Sequence, residues 1–229
     1  EKIREFWNEE LNFAIKSPTG SGKSLGLPLF FWKQKLVAGK ILVVQPRRIA
    51  AKSLARIACK FCKCVLGEEI GYRVRFDSRV SAKTKIIYLT DGMIFRFLQN
   101  PVNLKEVDLI IFDEFHERSL FMDASLALAK SYHDCGKINS RIVVTSATLE
   151  LEKISNFLGA KFGLEVNTKS FPVEILHKAI NSKQNLPAQV CDNLKVLLSR
   201  YEGDVLIFMD GAAQIKRTIR EIENRIGTK

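Results

Sequence analysis

The segment Ser17-Pro-Thr-Gly-Ser-Gly-Lys-Ser24 constrains the fold of this 229-residue chain more than any other feature. Gly20 and Gly22 allow the backbone to turn so that consecutive N–H groups converge on one point, which suits the oxygens of a phosphate. The segment lies between a strand-like run, Asn12–Lys16, and a predicted helix that begins near Gly22. A strand, a glycine-rich loop and a helix in this order predict a phosphate-binding loop at the edge of a sheet.

The side chains of this loop predict a Mg²⁺-nucleotide site rather than a plain turn. Lys23 is placed to contact the β- and γ-phosphates, and the Ser24 hydroxyl is placed to ligate Mg²⁺. Ser17 stands where the general pattern GxxxxGK[ST] has glycine. We therefore expect a P-loop NTPase whose cofactors are ATP, or another nucleoside triphosphate, and Mg²⁺. The candidate nucleotide-binding residues are Thr19, Gly20, Ser21, Gly22, Lys23 and Ser24.

A second candidate segment, Asp113-Glu-Phe-His116, follows the short apolar run Val107–Phe112. Such a run is typical of a buried parallel strand, and ligands bind at the carboxyl ends of parallel strands. We expect Asp113 to ligate Mg²⁺ opposite Ser24, and Glu114 to orient and partly deprotonate the attacking water. An isolated acidic pair would more often be a solvated loop or a helix cap, but its place after this strand favours catalysis.

The formal charge of +11 favours a polyanionic partner, first of all a nucleic acid. Seven basic residues and no acidic residue lie from Lys40 to Lys63, and part of them form one stripe on a helix predicted over Arg48–Cys62. The stripe is either a solvated face or a phosphate-binding surface. The preceding loop, Gln45–Arg48, is the better candidate for contact with a phosphate backbone.

The composition of the chain predicts the cellular compartment of the protein. The chain is 46% hydrophobic, with no apolar run of membrane-spanning length and no signal peptide, so we expect a soluble, cytoplasmic protein that does not use a membrane. Five cysteines without a secretion signal predict a reducing compartment. Cys59, Cys62 and Cys64 are close in sequence, but no histidine or fourth cysteine is near, which favours buried thiols over a metal site.

Apolar runs and helical stretches alternate along the chain, which predicts an α/β fold with strand–helix–strand crossovers on a parallel sheet. The predicted strands are Asn12–Lys16, Ile41–Gln45, Lys85–Leu89, Leu109–Phe112 and Arg141–Thr145, and Gly67–Phe76 is expected to be extended. The predicted helices are Lys23–Val37, Arg48–Cys62, Gly92–Gln99, Leu120–Tyr132 and Leu151–Phe157. We expect Pro28 to kink or shorten the first of them.

A second, incomplete unit is predicted after a boundary near Lys161–Ser170. It would contain the strands Phe171–Leu176 and Asp204–Met209 and the helices Leu186–Arg200 and Ala212–Ile226.

In the order of its motifs the chain resembles the DEAH-box (DEAH/RHA) superfamily 2 helicases, most closely their bacterial HrpB-type branch. Five segments resemble motifs I, Ia, Ib, II and III of that family: Ser17–Ser24, Gln45–Ala51, Leu89–Met93, Asp113–Ser119 and Thr145–Leu149. Phe171–Ile175 and Val205–Gly211 resemble the entry and motif IV of the second domain. The resemblance implies a RecA-like ATP-binding domain over residues 1–162. A linker and a truncated N-terminal part of a second RecA-like domain would occupy residues 163–229.

The resemblance also implies roles for individual residues. Four of them would hold the sugar–phosphate backbone of a single strand, which the family makes RNA, without reading its bases: Arg47, Arg48, Thr90 and Asp91. His116 would complete a catalytic set with Lys23 and Glu114. With Ser146 and Thr148, it would also couple the γ-phosphate site to the second domain.

The chain departs from the family pattern at three places. Ile57 stands where relatives usually carry an arginine that stacks on adenine, Asp210 replaces a proline of motif IV, and motifs V and VI, with their arginine fingers, are absent. Such a finger contributes about 10³ to 10⁵ in rate. We therefore expect this chain alone to bind ATP but to hydrolyse it poorly.

With the remainder of the second RecA-like domain in cis, the protein would be an ATP-dependent RNA helicase or translocase. Two alternatives stay open. One is a nucleotide-gated RNA-binding module without productive turnover. The other is an unrelated P-loop ATPase that acts on small molecules or proteins.

Overall fold

The computed structural model describes residues 2–9, 12–148, 150–161, 163–166 and 172–227. The chain divides into two compact units, Glu1–Ser170 and Phe171–Lys229. This division falls at the end of the predicted linker and later than the boundary expected between residues 162 and 163. The difference arises because Leu164 and Glu165 pair with Ile15 and Lys16 and so belong to the sheet of the first unit.

Eight strands form one sheet in the first unit: β1 Phe13–Lys16, β2 Lys40–Gln45, β3 Ile70–Val74, β4 Asp77–Arg79, β5 Ile86–Thr90, β6 Val107–Phe112, β7 Arg141–Ser146 and β8 Leu164–Glu165. Their order across the sheet is β4-β3-β5-β2-β6-β7-β1-β8. Neighbouring strands are parallel, except that β3 and β4 form an antiparallel hairpin. The carboxyl ends of β1, β2, β5, β6 and β7 therefore lie along one edge, which is where parallel sheets bind ligands.

Six α-helices accompany this sheet in the described residues: α1 Lys2–Glu9, α2 Lys23–Lys33, α3 Arg48–Cys62, α4 Asp91–Leu98, α5 Leu120–Asp134 and α6 Leu151–Leu158. Successive strand residues point to opposite faces, so Val43 packs in one core with α2 and α3, and Val44 packs in a second core with α4 and α5. The five predicted strands and five predicted helices of this unit are confirmed, and α1 is an addition to them. The sheet thus lies between two helical layers, as the α/β prediction required.

The first predicted helix ends earlier than expected. α2 ends at Lys33 rather than at Val37, because Lys35 takes a positive φ of 52° and the N–H of Leu36 donates to the carbonyl of Phe31 at 3.0 Å. A left-handed residue of this kind is a common way to close a helix. The helix continues through Pro28, so the proline does not end it.

The second unit contains two helices, α7 Leu186–Arg200 and α8 Ala212–Ile226, and both have the predicted ends. The Asn185 side chain accepts a hydrogen bond from the N–H of Ala188 and caps α7. The predicted strand Asp204–Met209 is wrong, and residues 172–176 form no strand either, while Phe171 lies outside the described residues. A strand exists only through hydrogen bonds to a neighbouring strand, and the described part of this unit offers none.

Within the described ranges, every helix lacks either the length or the apolar character that crossing a membrane requires.

Candidate active site

The glycine-rich loop leaves β1 and opens α2 as an exposed turn with room beside it. Gly20 and Gly22 have φ of 76° and 78°, and an added Cβ at either glycine would meet no atom within 4 Å. The side chain of Ser17 is buried and its hydroxyl donates to Oγ of Ser21 at 2.6 Å, which joins the start of the loop to its middle. Serine in place of the usual glycine therefore fits this loop through a hydrogen bond. No side chain caps α2 at Gly22, so its first N–H groups point toward a space that an anion can fill.

Asp113 follows directly after β6 and lies at the centre of a hydrogen-bond network, with 0% exposure. Its Oδ2 accepts from Nε2 of Gln45 at 2.7 Å, and its Oδ1 accepts from the N–H of Glu114 at 3.0 Å and from the Thr145 hydroxyl. Gln45 and Thr145 lie at the carboxyl ends of β2 and β7, the strands on either side of β6. A carboxylate has about four acceptor positions, and the three donors just described occupy three of them. One position therefore remains to bind a metal ion or a water molecule of that ion.

Glu114 brings the acidic segment into contact with the glycine-rich loop. Its backbone adopts a left-handed conformation, with φ of 53°, which turns the chain away from the sheet. Nζ of Lys23 lies 3.0 Å from Oε1 of Glu114, and the Lys23 side chain is only 7% exposed. Nδ1 of His116 lies 3.4 Å from the other carboxylate oxygen. The structure therefore brings Lys23, Glu114 and His116 together in one place.

The donors at this place fit a Mg²⁺-nucleotide. The open loop and the Lys23 ammonium supply positive charge for phosphates, while the Ser24 hydroxyl and the Asp113 carboxylate supply the oxygen ligands that Mg²⁺ prefers. Nδ1 of His116 is buried and makes no hydrogen bond, although the Glu114 carboxylate lies 3.4 Å from it. The negative partner of Lys23 is Glu114.

A cavity of about 340 Å³ lies beside this site, and His116, Ser146 and Thr148 contribute to its wall. The N–H of Thr148 donates to Oγ of Ser146 at 3.3 Å. The Ser146 carbonyl accepts from the N–H of Ser17 at 2.9 Å, which fastens the end of β7 to the first residue of the glycine-rich loop. The three residues that the family resemblance links to coupling thus lie around one cavity.

A larger cavity, of about 660 Å³, lies at the same edge of the sheet and contains three of the four predicted strand-binding residues, Arg48, Thr90 and Asp91. Nη2 of Arg48 donates to the carbonyl of Arg75 at 2.7 Å. Asp91 accepts from its neighbour, the N–H of Gly92, at 2.7 Å and from the Ser119 hydroxyl at 2.5 Å, so its carboxylate fixes the start of α4.

The fourth predicted strand-binding residue, Arg47, pairs with Glu117 outside the lining of this cavity. Nε of Arg47 lies 2.9 Å from Oε2 of Glu117, and the Arg47 side chain is 73% exposed.

The cavity is also lined by residues that the sequence motifs did not indicate as strand-binding, above all Arg75, Phe95, Arg96 and Phe121. Arg75 lies within the extended segment predicted over Gly67–Phe76, and Arg96 lies just over one turn along the helix that begins at Asp91. The two aromatic rings stand 5.5 Å apart, centroid to centroid. Arginines together with aromatic rings are typical of surfaces that bind single strands, and this combination is the sequence signal that could have identified these residues.

Of the clustered cysteines, Cys59 is a buried thiol, whereas Cys62 and Cys64 are half-buried. Burial raises the pKa of Cys59 to about 12, and the neighbouring Cys64 contributes to the same shift through a hydrogen bond. Burial also raises the pKa of Cys64. Among the described residues, no group of three or more His, Cys, Asp or Glu side chains is placed to hold a metal ion.

The sequence and the structure are similar to those of known helicases. The profile of the DEAD/DEAH box helicase family matches residues 2–157. The chain is 37% identical over 213 residues to the ATP-dependent RNA helicase HrpA of Borreliella burgdorferi, which covers 91% of this chain and 26% of that protein. It is 31% identical over 214 residues to the ATP-dependent RNA helicase HrpB of Escherichia coli, with 93% and 26% covered. The crystal structure of the E. coli DEAH/RHA helicase HrpB matches with a TM-score of 0.87 at 29% identity and covers 99% of this chain and 29% of that chain. The chain therefore spans about a quarter of the length of these relatives.

Proposed function

The chain belongs to the DEAD/DEAH box helicase family, and on this premise we propose that it carries the nucleotide site and part of the strand-binding surface of an ATP-dependent RNA helicase or translocase. The observation that carries the proposal is the 3.0 Å contact between Lys23 of the glycine-rich loop and Glu114 of the acidic segment. Two segments that are distant in sequence meet at one edge of the sheet, which supports a shared site for phosphoryl transfer from a Mg²⁺-nucleotide.

The hydrolytic roles follow from the charges and positions of the side chains. Lys23 holds the β- and γ-phosphates and stabilises the charge that develops on the transferred group. Ser24 and Asp113 hold Mg²⁺, which neutralises phosphate charge when it is bound. Glu114 accepts a proton from the attacking water, and it becomes available for this task when Lys23 leaves it for the nucleotide.

The strand-binding role rests on Arg48, Thr90 and Asp91 around the larger cavity, with Arg47 beside it. Arginines bind phosphates of any sequence, so the proposed partner is a single strand, with RNA as the natural track. His116, Ser146 and Thr148 couple the γ-phosphate site to the second domain, and the hydrogen bond between Ser17 and Ser146, which joins the loop to β7, supports this role. We propose that the 229-residue chain alone binds Mg²⁺-ATP and turns it over slowly, in the cytoplasm.

Binding of labelled single-stranded RNA tests the proposal, with Arg48→Ala compared with Arg56→Ala as a matched control on the exposed stripe of α3. We expect Arg48→Ala to weaken binding to all sequences alike and to lower the slope of log affinity against log salt by about 0.7, the value for one lost phosphate contact on a single strand. The control removes the same charge and should change binding much less. Equal losses in the two variants, or a loss confined to one sequence, contradict backbone binding at this cavity.

ATP hydrolysis with and without RNA separates the two candidate functions that involve a nucleic acid. The assay is run on this chain and on a form extended to the length of its relatives. Turnover that appears in the extended form and rises with RNA supports a motor. Silence in both forms, with RNA affinity that still responds to nucleotide, supports the nucleotide-gated binding module. No response to any polynucleotide would contradict both of these functions.

A further inference from the structure

Pro28 removes a hydrogen bond from the helix that carries the Mg²⁺-binding serine. In an α-helix the carbonyl of each residue accepts from the N–H four positions later, and proline has no N–H. Pro28 is four positions after Ser24 and lies buried inside α2. The Ser24 carbonyl therefore lacks its regular helical donor, at the second residue of the helix and next to Lys23.

Tyr88 provides a donor at that place. It lies on β5, pairs in register with Val43 of β2, and is 0% exposed. Its hydroxyl donates to the Ser24 carbonyl at 3.2 Å. Burial, with a smaller effect from the Asp113 carboxylate, raises the pKa of Tyr88, so the hydroxyl keeps its proton.

We propose that Tyr88 is a positioning residue of the nucleotide site, whose hydroxyl replaces the helical hydrogen bond that Pro28 takes from Ser24. The inference rests on the proposed function, since Ser24 matters as the residue whose hydroxyl ligates Mg²⁺. The orientation of the Ser24 peptide group determines the direction of the Ser24 side chain. A helical turn whose carbonyl at Ser24 has no donor can change that orientation, and with it the direction of the hydroxyl. Through β5, the sheet thus controls the orientation of a metal ligand on the loop.

The alternative role for Tyr88 is packing alone, because its ring belongs to the core that contains α2 and α3. Tyr88→Phe separates the two roles, since it retains the ring and removes the hydroxyl. Tyr72→Phe is the matched control: Tyr72 is also buried, on the neighbouring strand β3, and its hydroxyl donates to Asp77 at 3.1 Å, away from Ser24.

The measurement is the affinity of the 229-residue chain for a fluorescent nucleoside triphosphate, with Mg²⁺ and with EDTA. We expect Tyr88→Phe to lower the Mg²⁺-dependent gain in affinity by about tenfold, the effect of one buried acceptor left unsatisfied, and to leave the affinity in EDTA within about twofold. Tyr72→Phe should leave both affinities unchanged. A packing role would lower both values together.

The decisive variant is Tyr88→Phe combined with Pro28→Ala, because alanine restores an N–H four positions after Ser24. The double variant should recover the Mg²⁺-dependent gain to within about twofold of Pro28→Ala alone. A drop in Tyr88→Phe that Pro28→Ala does not rescue, or no drop at all, overturns the inference.

Unfolding by urea separates a failure of the inference from a failure of the proposed function. If the wild-type chain binds no Mg²⁺-nucleotide, the proposed function fails, and the same cycle of variants still tests the hydrogen bond. Tyr88→Phe should then shift the unfolding midpoint less in the Pro28→Ala background than in the wild type, and equal shifts overturn the inference. If Tyr88→Phe does not fold, folding of the double variant supports the inference, and failure of both refutes it.

Discussion

Substitution of Glu114 by glutamine tests the most informative contact in the site, its ion pair with Lys23. At 3.0 Å and an effective dielectric constant of about 20, the pair has a Coulomb attraction of about 5 kcal/mol before desolvation is counted. Desolvation offsets most of this value, since measured exposed pairs contribute about 0.2–1 kcal/mol and hydrogen bonds between charged groups about 1.5–3 kcal/mol. Because the Lys23 side chain is 7% exposed and the Glu114 side chain is 22% exposed, we expect the ion pair to contribute a net attraction of about 1 kcal/mol.

Nucleotide binding must break this ion pair, so its loss favours binding. Glu114→Gln keeps the size of the side chain and a neutral acceptor, releases the charge of Lys23, and removes a negative charge near the phosphates. We therefore expect the Kd for a non-hydrolysable Mg²⁺-nucleotide to fall by about fivefold, which corresponds to about 1 kcal/mol. The assay is a fluorescence titration of the 229-residue chain at fixed salt.

Glu106→Gln is the matched control for this substitution. Glu106 also pairs with a lysine, Lys40, at 2.6 Å, but it precedes β6 at the opposite end of the sheet. Its loss should leave the Kd unchanged. Nucleotide binding that is weaker in Glu114→Gln than in the wild type would refute the argument, because it would mean that the carboxylate assists binding rather than competing for Lys23.

Two further predictions concern the framework of the site. Thr145→Val removes one donor to the buried Asp113 carboxylate with little change of volume, and should lower the free energy of unfolding by about 1–3 kcal/mol in urea titrations; unchanged stability would show that the hydrogen bond contributes little. The second concerns Asp77, whose pKa is held below its usual range by a hydrogen bond from Lys52. A depressed folded pKa gives stability that is fully present above the unfolded pKa and is lost as the pH falls through the folded pKa. Asp77→Asn should therefore be less stable than the wild type at about pH 7, and the difference should shrink as the pH falls below about 4. A difference that persists in acid would assign the effect to packing.

The sequence predicted the first unit well because two independent signals agree there. Hydrophobic periodicity gave the strands and helices, and the motifs fixed which strand ends carry chemistry. α3, for example, has a basic exposed stripe and a buried alanine face, and its predicted ends, Arg48 and Cys62, are those observed. The resemblance to DEAH/RHA helicases and the α/β fold with a parallel sheet are confirmed by the family match and by the structural likeness to HrpB.

Prediction failed where the state of a segment depends on partners distant in sequence. Asp204–Met209 is apolar enough for a strand, yet it has no strand beside it in the described part of the second unit, and Leu206 and Phe208 are 78% and 86% exposed. Periodicity reports which residues suit a sheet but not whether a neighbouring strand is there.

Within the site, the residues that bond a ligand directly were easier to predict than those that hold them. Lys23 and Glu114 belong to short motifs whose chemistry can be read from residue type. Gln45 and Thr145 lie inside predicted motifs, but only the strand order places them on either side of Asp113. The link from Tyr88 to Ser24 joins residues 64 positions apart and gives no local signal.

A crystal structure of the chain with Mg²⁺ and a non-hydrolysable nucleoside triphosphate tests the central claim most directly. We expect the phosphates to lie on residues 19–24 and Mg²⁺ to lie between Ser24 and Asp113. Nζ of Lys23 should then contact a phosphate oxygen instead of Glu114. A nucleotide bound elsewhere, or one bound here while Lys23 still pairs with Glu114, would contradict this claim.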